Sequence, residues 1–248
     1  VLLSANSEST QELALGWEFS RQSNEVSLQD EPFPELSPGA DENGETKISA
    51  LRFFQDWTRR TRKDVLAARS QFSLGLDIFD ATVNEGEPDG QFVSWRGQVQ
   101  WLRQLASSSN INLLLRSDIQ LSGDDLVPLE RFSLGGIDSV RGYRQDALLG
   151  DSGLFVSAEV RIPFYRWNQQ QSSLSAIPFV DFGTSWSNSD NINQDVDTVV
   201  SLGVGLQLDL SDTFRARLDY GIPLVDVEDT GDTLQEDGLY FSLEYFPF

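Results

Sequence analysis

The feature that most constrains the fold is a long, regular alternation of apolar and polar residues. Between Val200 and Leu210 every second residue is apolar, and the residues between them are Ser201, Gly203, Gly205, Gln207 and Asp209. The same alternation recurs over 154–164 and from Phe214 onward. Successive side chains of a β-strand point to opposite faces, whereas a helix repeats every ~3.6 residues. The pattern therefore predicts strands with one apolar and one polar face.

The alternation defines ten strand candidates. Many of them reach or exceed the ~9–11 residues that a tilted strand needs to cross a bilayer, whereas strands of soluble proteins are usually nearer ~5–6 residues. The predicted strands cover residues 11–27, 46–59, 69–80, 90–105, 110–122, 153–164, 176–186, 198–211, 213–224 and 238–248.

The connections between the predicted strands alternate in length. The long ones are 28–45, 81–89, 123–152, 187–197 and 225–237, and the short ones are 60–68, 106–109, 165–175 and the turn at Ser211-Asp212. Outer-membrane barrels have long extracellular loops and short periplasmic turns. We therefore expect 28–45 and 225–237 to be extracellular and 60–68 to be periplasmic.

Strand length and loop alternation together predict an all-β, transmembrane, antiparallel up-and-down β-barrel. Five tryptophans fall on the apolar faces, mostly toward strand ends, as in an aromatic girdle; they are Trp17, Trp57, Trp95, Trp101 and Trp186. The alternative is a soluble β-sandwich with one wet face per strand, which shows the same alternation. It predicts shorter strands and no systematic difference between loops.

Composition excludes several classes of function. The 248 residues carry a formal charge of −21, which disfavours nucleic acid as a partner because phosphate contacts need basic patches. The chain contains no cysteine and no histidine, so triads with histidine and thiolate zinc sites are excluded. Asp124 and Asp125 could be read as glycosidase acids, but nothing places them in a cleft. We expect no enzymatic activity and no cofactor.

A calcium site among the carboxylates of 225–237 is an open alternative to a solvated acidic loop. The spacing of these carboxylates matches no EF-hand loop. We therefore expect no bound metal.

One long connection contains an unusual motif for so acidic a chain. The stretch "FSLGGIDSVRGYRQD" is followed by "GLFVSAEVRIPF" and then, at 177–186, by "IPFVDFGTSW". In this order the segments resemble the sixth-loop motif and following strands of the two-partner-secretion transporters, the ShlB/FhaC/HecB family of haemolysin secretion and activation proteins. That family shares a superfamily with the BamA insertase. The resemblance runs from about Leu51 to the end.

The resemblance implies a barrel of about sixteen strands, preceded by soluble polypeptide-transport-associated (POTRA) domains. Residues 1–248 would then be the C-terminal portion of the barrel, with the POTRA domains and the first strands absent from this chain. It also implies that the connection 123–152 folds inward rather than outward.

The resemblance further implies an anchor for the inward loop. Its tip would lie inside the lumen, with Arg141 contacting Asp181 and with Glu159 as a second acceptor. Strand parity independently places both carboxylates on the polar face, and a guanidinium offers a rigid fork to a carboxylate. We expect Arg161, Arg215 and Arg217 to be lumen charges paired with neighbours, and Gly203 and Gly205 to ease strand curvature. The complete predicted set is Val140, Arg141, Gly142 and Tyr143 at the tip, Asp181 and Glu159 on the wall, and Gly135, Gly136, Phe179 and Gly183 in support.

The function implied by the resemblance is an outer-membrane pore. It would secrete a large partner exoprotein of the TpsA type from the periplasm to the exterior of a bacterial cell. The partners are thus this exoprotein and outer-membrane lipid, around a monomeric barrel. One alternative is a BamA-like insertase, and another is a passive porin or adhesin, which the inward loop motif disfavours.

Overall fold

The protein is almost entirely β-structure. A computed structural model describes residues 2–5, 8–28, 31–32, 37–84, 88–106, 110–167, 171–188, 197–211, 213–227 and 233–246. Within them the strands are β1 (Leu2–Ala5), β2 (Ser9–Glu25), β3 (Ser27–Leu28), β4 (Glu31–Pro32), β5 (Glu45–Thr61), β6 (Asp64–Gly75), β7 (Val93–Ala106), β8 (Ile111–Ser122), β9 (Phe132–Leu134), β10 (Leu148–Gly150), β11 (Ser152–Trp167), β12 (Ser172–Trp186), β13 (Asp197–Leu210), β14 (Phe214–Pro223) and β15 (Leu239–Tyr245).

Eleven of these strands form one antiparallel sheet. Its order is β1-β2-β5-β6-β7-β8-β11-β12-β13-β14-β15, so the long strands pair in the order of the sequence. The pairs β3–β4 and β9–β10 are small separate sheets inside two of the long connections. This arrangement confirms the predicted all-β, antiparallel, up-and-down order. Within the described residues no helix is long and apolar enough to cross a membrane.

The ten predicted strands are present, but the strand predicted to run to residue 80 ends at Gly75. There are three further corrections. The sheet has an eleventh strand, β1, which was not predicted because four residues are too few to show a period. The predicted turn 60–68 is only Arg62-Lys63, since β5 continues to Thr61 and β6 begins at Asp64. Although the segment is rich in charged residues, most of it stays in the ladder between β5 and β6. The predicted connection 165–175 is shorter as well, because β11 extends to Trp167 and β12 begins at Ser172.

The two faces of the sheet differ as the alternation predicts. On β13 the apolar side chains of Leu202, Val204 and Leu206 are 46%, 49% and 48% exposed, whereas Ser201 and Gln207, which flank them, are buried. Trp17 on β2 is exposed on the same outward side and packs against Phe53, with ring centroids 4.5 Å apart. The outward face is therefore a continuous apolar surface, and the polar face is turned inward.

The connection between β8 and β11 lies against the inward face. Near its start, Leu126 and Val127 are buried with Ile48 and Ala50 of β5 and with Phe92, which directly precedes β7. Further on, a second cluster combines loop and wall residues; it contains Phe132, Leu134, Val140, Tyr143, Phe155 and Val199. Each apolar cluster thus joins the loop to the strands, and the predicted inward course of the loop is confirmed.

The two faces can be tested at adjacent positions in the middle of β7. Val99 is exposed on the outward apolar face, and Gln100 lies on the polar face. We expect Val99→Arg to reduce the amount of folded protein in outer membranes strongly, because a lipid-facing charge near the midplane costs roughly 2–4 kcal/mol. Gln100→Arg should have little effect. Heat-modifiable electrophoretic mobility measures the folded fraction, and equal damage by both substitutions would contradict the assigned faces.

Candidate functional site

Arg141, at the tip of the inward loop, is the largest fully buried side chain among the described residues and is only 1% exposed. Its guanidinium holds Asp181 with both arms of the fork. Nε donates to Oδ2 at 2.7 Å, and Nη2 donates to Oδ1 at 2.8 Å. Nη1 donates to Glu159 at 3.1 Å. The contacts predicted for Arg141 with Asp181 and Glu159 are therefore present, and their role in function stays a prediction.

The guanidinium of Arg141 also stacks on an aromatic ring. Its central carbon lies 3.4 Å from the centroid of Phe179, a residue of β12. Such stacking leaves the edge of the guanidinium plane free for the carboxylates. Asp181 receives two further hydrogen bonds, from the backbone N–H of Arg141 at 3.2 Å and from Ser157 Oγ at 2.6 Å. Hydrogen bonds from the protein therefore satisfy the carboxylate of Asp181, although no part of it is exposed to solvent.

A second arginine extends the anchor across the wall. Arg217 of β14 donates to Glu159 of β11 at 3.0 Å and to Asp219 at 2.7 Å. Since β12 and β13 separate these strands in the sheet, the contact requires a strongly curved wall. The network combines two guanidinium groups with three carboxylates, and in a buried setting each charge is stable only while its partners remain.

The backbone of the tip is fixed by two tyrosines. Tyr240 Oη, from β15, accepts a hydrogen bond from the N–H of Gly142 at 2.9 Å and donates one to the carbonyl of Tyr143. Tyr143 Oη lies 2.8 Å from the carbonyl of Val200 and 2.9 Å from that of Val225. The tip is thus tied to β13, to the connection after β14, and to β15.

Glycines turn the tip and make room for it in the wall. Gly135 and Gly136 have φ angles of 109° and 92°, in the region that disfavours other residues, and the N–H of Gly136 donates to the Tyr143 carbonyl at 3.0 Å. On β12, a Cβ at Gly183 would lie 2.8 Å from side-chain atoms of Leu134 and Val140.

The glycines of β13 and β14 serve packing as well. A Cβ at Gly203 would lie 2.4 Å from the Phe179 ring, and one at Gly221 would lie 2.6 Å from the backbone nitrogen of Gly142. Gly205 similarly leaves room for the carboxylate of Asp219. The predicted role of Gly203 and Gly205 in strand curvature stays a prediction. The structure shows that they leave space for the anchor as well.

The C-terminal end of the loop has a buried carboxylate of its own, which was not predicted from the sequence. Asp151 is fully buried, and it accepts hydrogen bonds from the N–H of Leu126 at 2.9 Å and from that of Asn188 at 2.7 Å. Arg131 Nε lies 3.5 Å away. The start of the loop and the connection after β12 are therefore joined at one residue, for which no sequence motif was recognised.

Two of the three other predicted lumen arginines are paired. Arg217 belongs to the anchor, and Arg215 Nε lies 2.8 Å from Asp209. Arg161 forms no salt bridge among the described residues, and Glu159 and Asp209 attract it only at longer range. Its register partner is Asn112, and the acid two positions away on its own strand, Glu159, is already held by Arg141 and Arg217.

Asp124, considered above as a glycosidase acid, supports the backbone of a neighbouring strand. Part of the acidic segment considered above for calcium lies outside the described residues. Asp124 accepts a hydrogen bond from the N–H of Val93 at 2.7 Å and so caps β7. Residues 228–232 of the acidic segment 225–237 are outside the described part. Over the described residues, no group of three or more acidic side chains is arranged to hold a metal ion.

Comparison with solved structures places this sheet among outer-membrane barrels. CdiB from Escherichia coli superposes with a TM-score of 0.73 at 21% identity, over 98% of this chain and 42% of CdiB. CdiB from Acinetobacter baumannii gives 0.67 at 17% identity, over 98% of this chain and 39% of CdiB. BamA from Haemophilus ducreyi lacking POTRA domains 1–3 gives 0.59 at 14% identity, covering 97% of this chain and 52% of that one.

Sequence comparison points to the same superfamily. The outer membrane protein assembly factor BamA of Nitratidesulfovibrio vulgaris is 31% identical over 150 residues, which are 55% of this chain and 18% of BamA. This chain therefore spans less than a fifth of that relative. The family model of haemolysin secretion/activation protein ShlB/FhaC/HecB matches residues 42–208, a range that contains the inward loop and both wall carboxylates. The chain belongs to the ShlB/FhaC/HecB family, and its sheet is part of an outer-membrane β-barrel.

Proposed function

We propose that the protein containing this chain is a translocation pore that secretes a large partner exoprotein from the periplasm to the cell exterior. The observation that carries the proposal is the inward loop, held inside the wall by the buried contacts of Arg141 with Asp181 and Glu159. The membership in a secretion and activation family supports the same reading. The substrate is a polypeptide, and the barrel acts as a monomer.

The inward face is suited to a polypeptide in transit. A cavity of about 550 Å³ beside the loop tip has polar and charged lining residues, among them Asp56, Arg69, Gln98, Arg116 and Asp138. Such a wall offers water and exchangeable hydrogen bonds rather than a continuous apolar surface on which an unfolded chain would stick. Translocation is the proposed activity, and no chemical catalysis and no cofactor are part of the proposal.

A BamA-like role in assembling other barrels is the second candidate. The 31% identity to BamA of Nitratidesulfovibrio vulgaris favours it. The two candidates differ in their cargo. A secretion pore carries one kind of partner to the exterior, whereas an assembly factor acts on many outer-membrane proteins.

Deletion of the gene for the full-length protein separates the candidates. We expect a large secreted protein encoded beside it to disappear from the medium and to return on complementation. The levels of unrelated outer-membrane barrels, measured by quantitative proteomics of the same membranes, should stay unchanged and are the internal control. A general loss of barrels with normal export of that neighbour would favour assembly and would overturn the secretion proposal.

A further inference from the structure

The outward face carries a cluster of exposed cations at the end of the wall opposite the inward loop. Arg59 lies near the end of β5 and Arg103 near the end of β7, while Arg62 and Lys63 form the turn between β5 and β6. We call these four residues the basic rim. All four are exposed, and none makes an ion pair within the described part of the chain. Even with Asp64, opposite Arg103 in the register, the group is net positive in a chain of charge −21.

Two tryptophans mark the depth of the basic rim in the membrane. Trp57 precedes Arg59 by two residues on the same face of β5, and Trp101 precedes Arg103 in the same way on β7. The guanidinium carbon of Arg103 lies 5.4 Å from the centroid of the Trp101 ring. Tryptophan is enriched where hydrocarbon meets headgroups. The cations beside these rings therefore stand at the level of lipid phosphates.

An apolar groove leads from the basic rim toward the middle of the wall. Its volume is about 430 Å³, and its lining includes Leu66, Val99, Trp101, Leu115 and Val156. The groove exists because Ser117 is small and stands in register between the larger Val99 and Val156. Val99 is four residues from Arg103 along β7, about 13 Å at the usual rise per residue. A chain attached to a phosphate at Arg103 can therefore lie in the groove.

We propose that the basic rim and the groove bind an anionic glycerophospholipid of the periplasmic leaflet. Arg59 and Arg103 hold the phosphate, since guanidinium forks match phosphate oxygens. Arg62 and Lys63 add electrostatic attraction, and one acyl chain occupies the groove. The periplasmic leaflet is assigned because short turns of outer-membrane barrels lie on that side. An acidic peptide would satisfy the cations but would leave the groove, which lies at hydrocarbon depth, unused.

Lipid binding by the full-length protein tests the proposal. Native mass spectrometry of the purified protein, titrated in micelles with phosphatidylglycerol, gives the number of bound lipids and the apparent affinity. We expect the Arg59→Gln/Arg103→Gln variant to bind phosphatidylglycerol roughly tenfold more weakly or worse, because each basic side chain near the surface contributes attraction. Arg103→Lys should keep most of the attraction. Phosphatidylcholine, with the same acyl chains, should bind wild type and variant equally weakly.

Arg21→Gln is the matched control. Arg21 is an exposed arginine on the face of β2 that carries Trp17 and Phe19, toward the opposite end of the wall. Its replacement removes one outward positive charge and should leave phosphatidylglycerol binding unchanged. Unchanged binding by the double variant would overturn the site. Equal binding of both phospholipids by the wild type would overturn the requirement for an anionic headgroup, and a preference for lipopolysaccharide over phosphatidylglycerol would overturn the assigned leaflet.

Discussion

Arg141→Ala is expected to abolish most secretion while leaving the barrel in the membrane at its normal level. The substitution leaves Asp181, which is fully buried, without its cation, and it leaves Glu159 with Arg217 alone. Removing one partner of a buried pair costs about 3–5 kcal/mol. At 1.4 kcal/mol per factor of ten, the undocked population of the loop should rise roughly a hundredfold or more. The strand ladders keep their own hydrogen bonds, so the cost falls on the loop.

The measurement is the exported partner in the medium relative to the folded protein in the membrane. Asp181→Ala should resemble Arg141→Ala, and the double variant should be no worse than the worse single variant, because both remove one contact. Arg141→Lys should be intermediate, since it keeps the charge and loses the fork. Full secretion by Arg141→Ala at normal barrel level would show that the tip is not the working part of the pore.

Arg215→Ala is the matched control for this series. Arg215 also points inward and pairs with Asp209 and Glu244, but its side chain is 39% exposed. Ion pairs in contact with water contribute only about 0–1 kcal/mol to stability. Secretion by the Arg215→Ala variant should therefore stay near normal. The position of the loop can be followed separately with Asp138→Cys, at an exposed residue shortly before the buried tip, because this chain has no other cysteine. The labelling of this cysteine should accelerate only in variants that release the loop.

Gly221→Ala is expected to release the loop without touching any charge. A Cβ at this position would lie 2.6 Å from the nitrogen of Gly142 and 2.7 Å from the carbonyl carbon of Arg141. Both atoms belong to the backbone of the tip, so neither can move aside by a rotamer change. Overpacking of this kind typically costs about 1–3 kcal/mol. The clash is removed only if the tip moves away from the wall. Secretion should fall, and cysteine labelling at position 138 should rise.

Gly123→Ala is the matched control for Gly221→Ala. Gly123 lies at the start of the same loop, and a Cβ there would meet nothing within 4 Å. The protein carrying Gly123→Ala should export the partner at the normal level. Slow labelling and normal secretion in Gly221→Ala would mean that the wall yields instead of the tip, and that the glycine is not needed for docking.

The strands and their faces are predictable because both follow from a local period. Val204 and Gln207 differ in parity, and parity alone assigns one to the outside and the other to the inside. Asp181 could be placed on the inner wall by the same rule, and the motif then supplied Arg141 as its partner. These inferences need no knowledge of which strand lies beside which.

The features that escaped prediction all depend on register or on distant pairing. Gly203 is next to Phe179 only because β12 and β13 pair in one register, so its role in packing is not visible in β13 alone. Asp151 gathers backbone groups from two other connections, and a buried carboxylate in a loop looks like any solvated acid in the sequence. Arg161 was expected to pair with a neighbour, but the nearest acid on its own strand, Glu159, is held by two other arginines.

The bond between Tyr240 and the loop tip has a consequence for the order of folding. Tyr240 Oη bonds to Gly142, 98 residues earlier in the chain, whereas the partners of Arg141 on β11 and β12 are 18 and 40 residues away. Closing a longer stretch of chain costs more entropy, and contacts of high sequence separation form late. Arg141 can therefore pair with Asp181 and Glu159 before β15 joins the sheet. The backbone of the tip gains its hydrogen bonds to Tyr240 only when β15 has joined. The tip thus registers whether β15 has joined the sheet, and the inward loop reaches its final position only after this distant strand has been added.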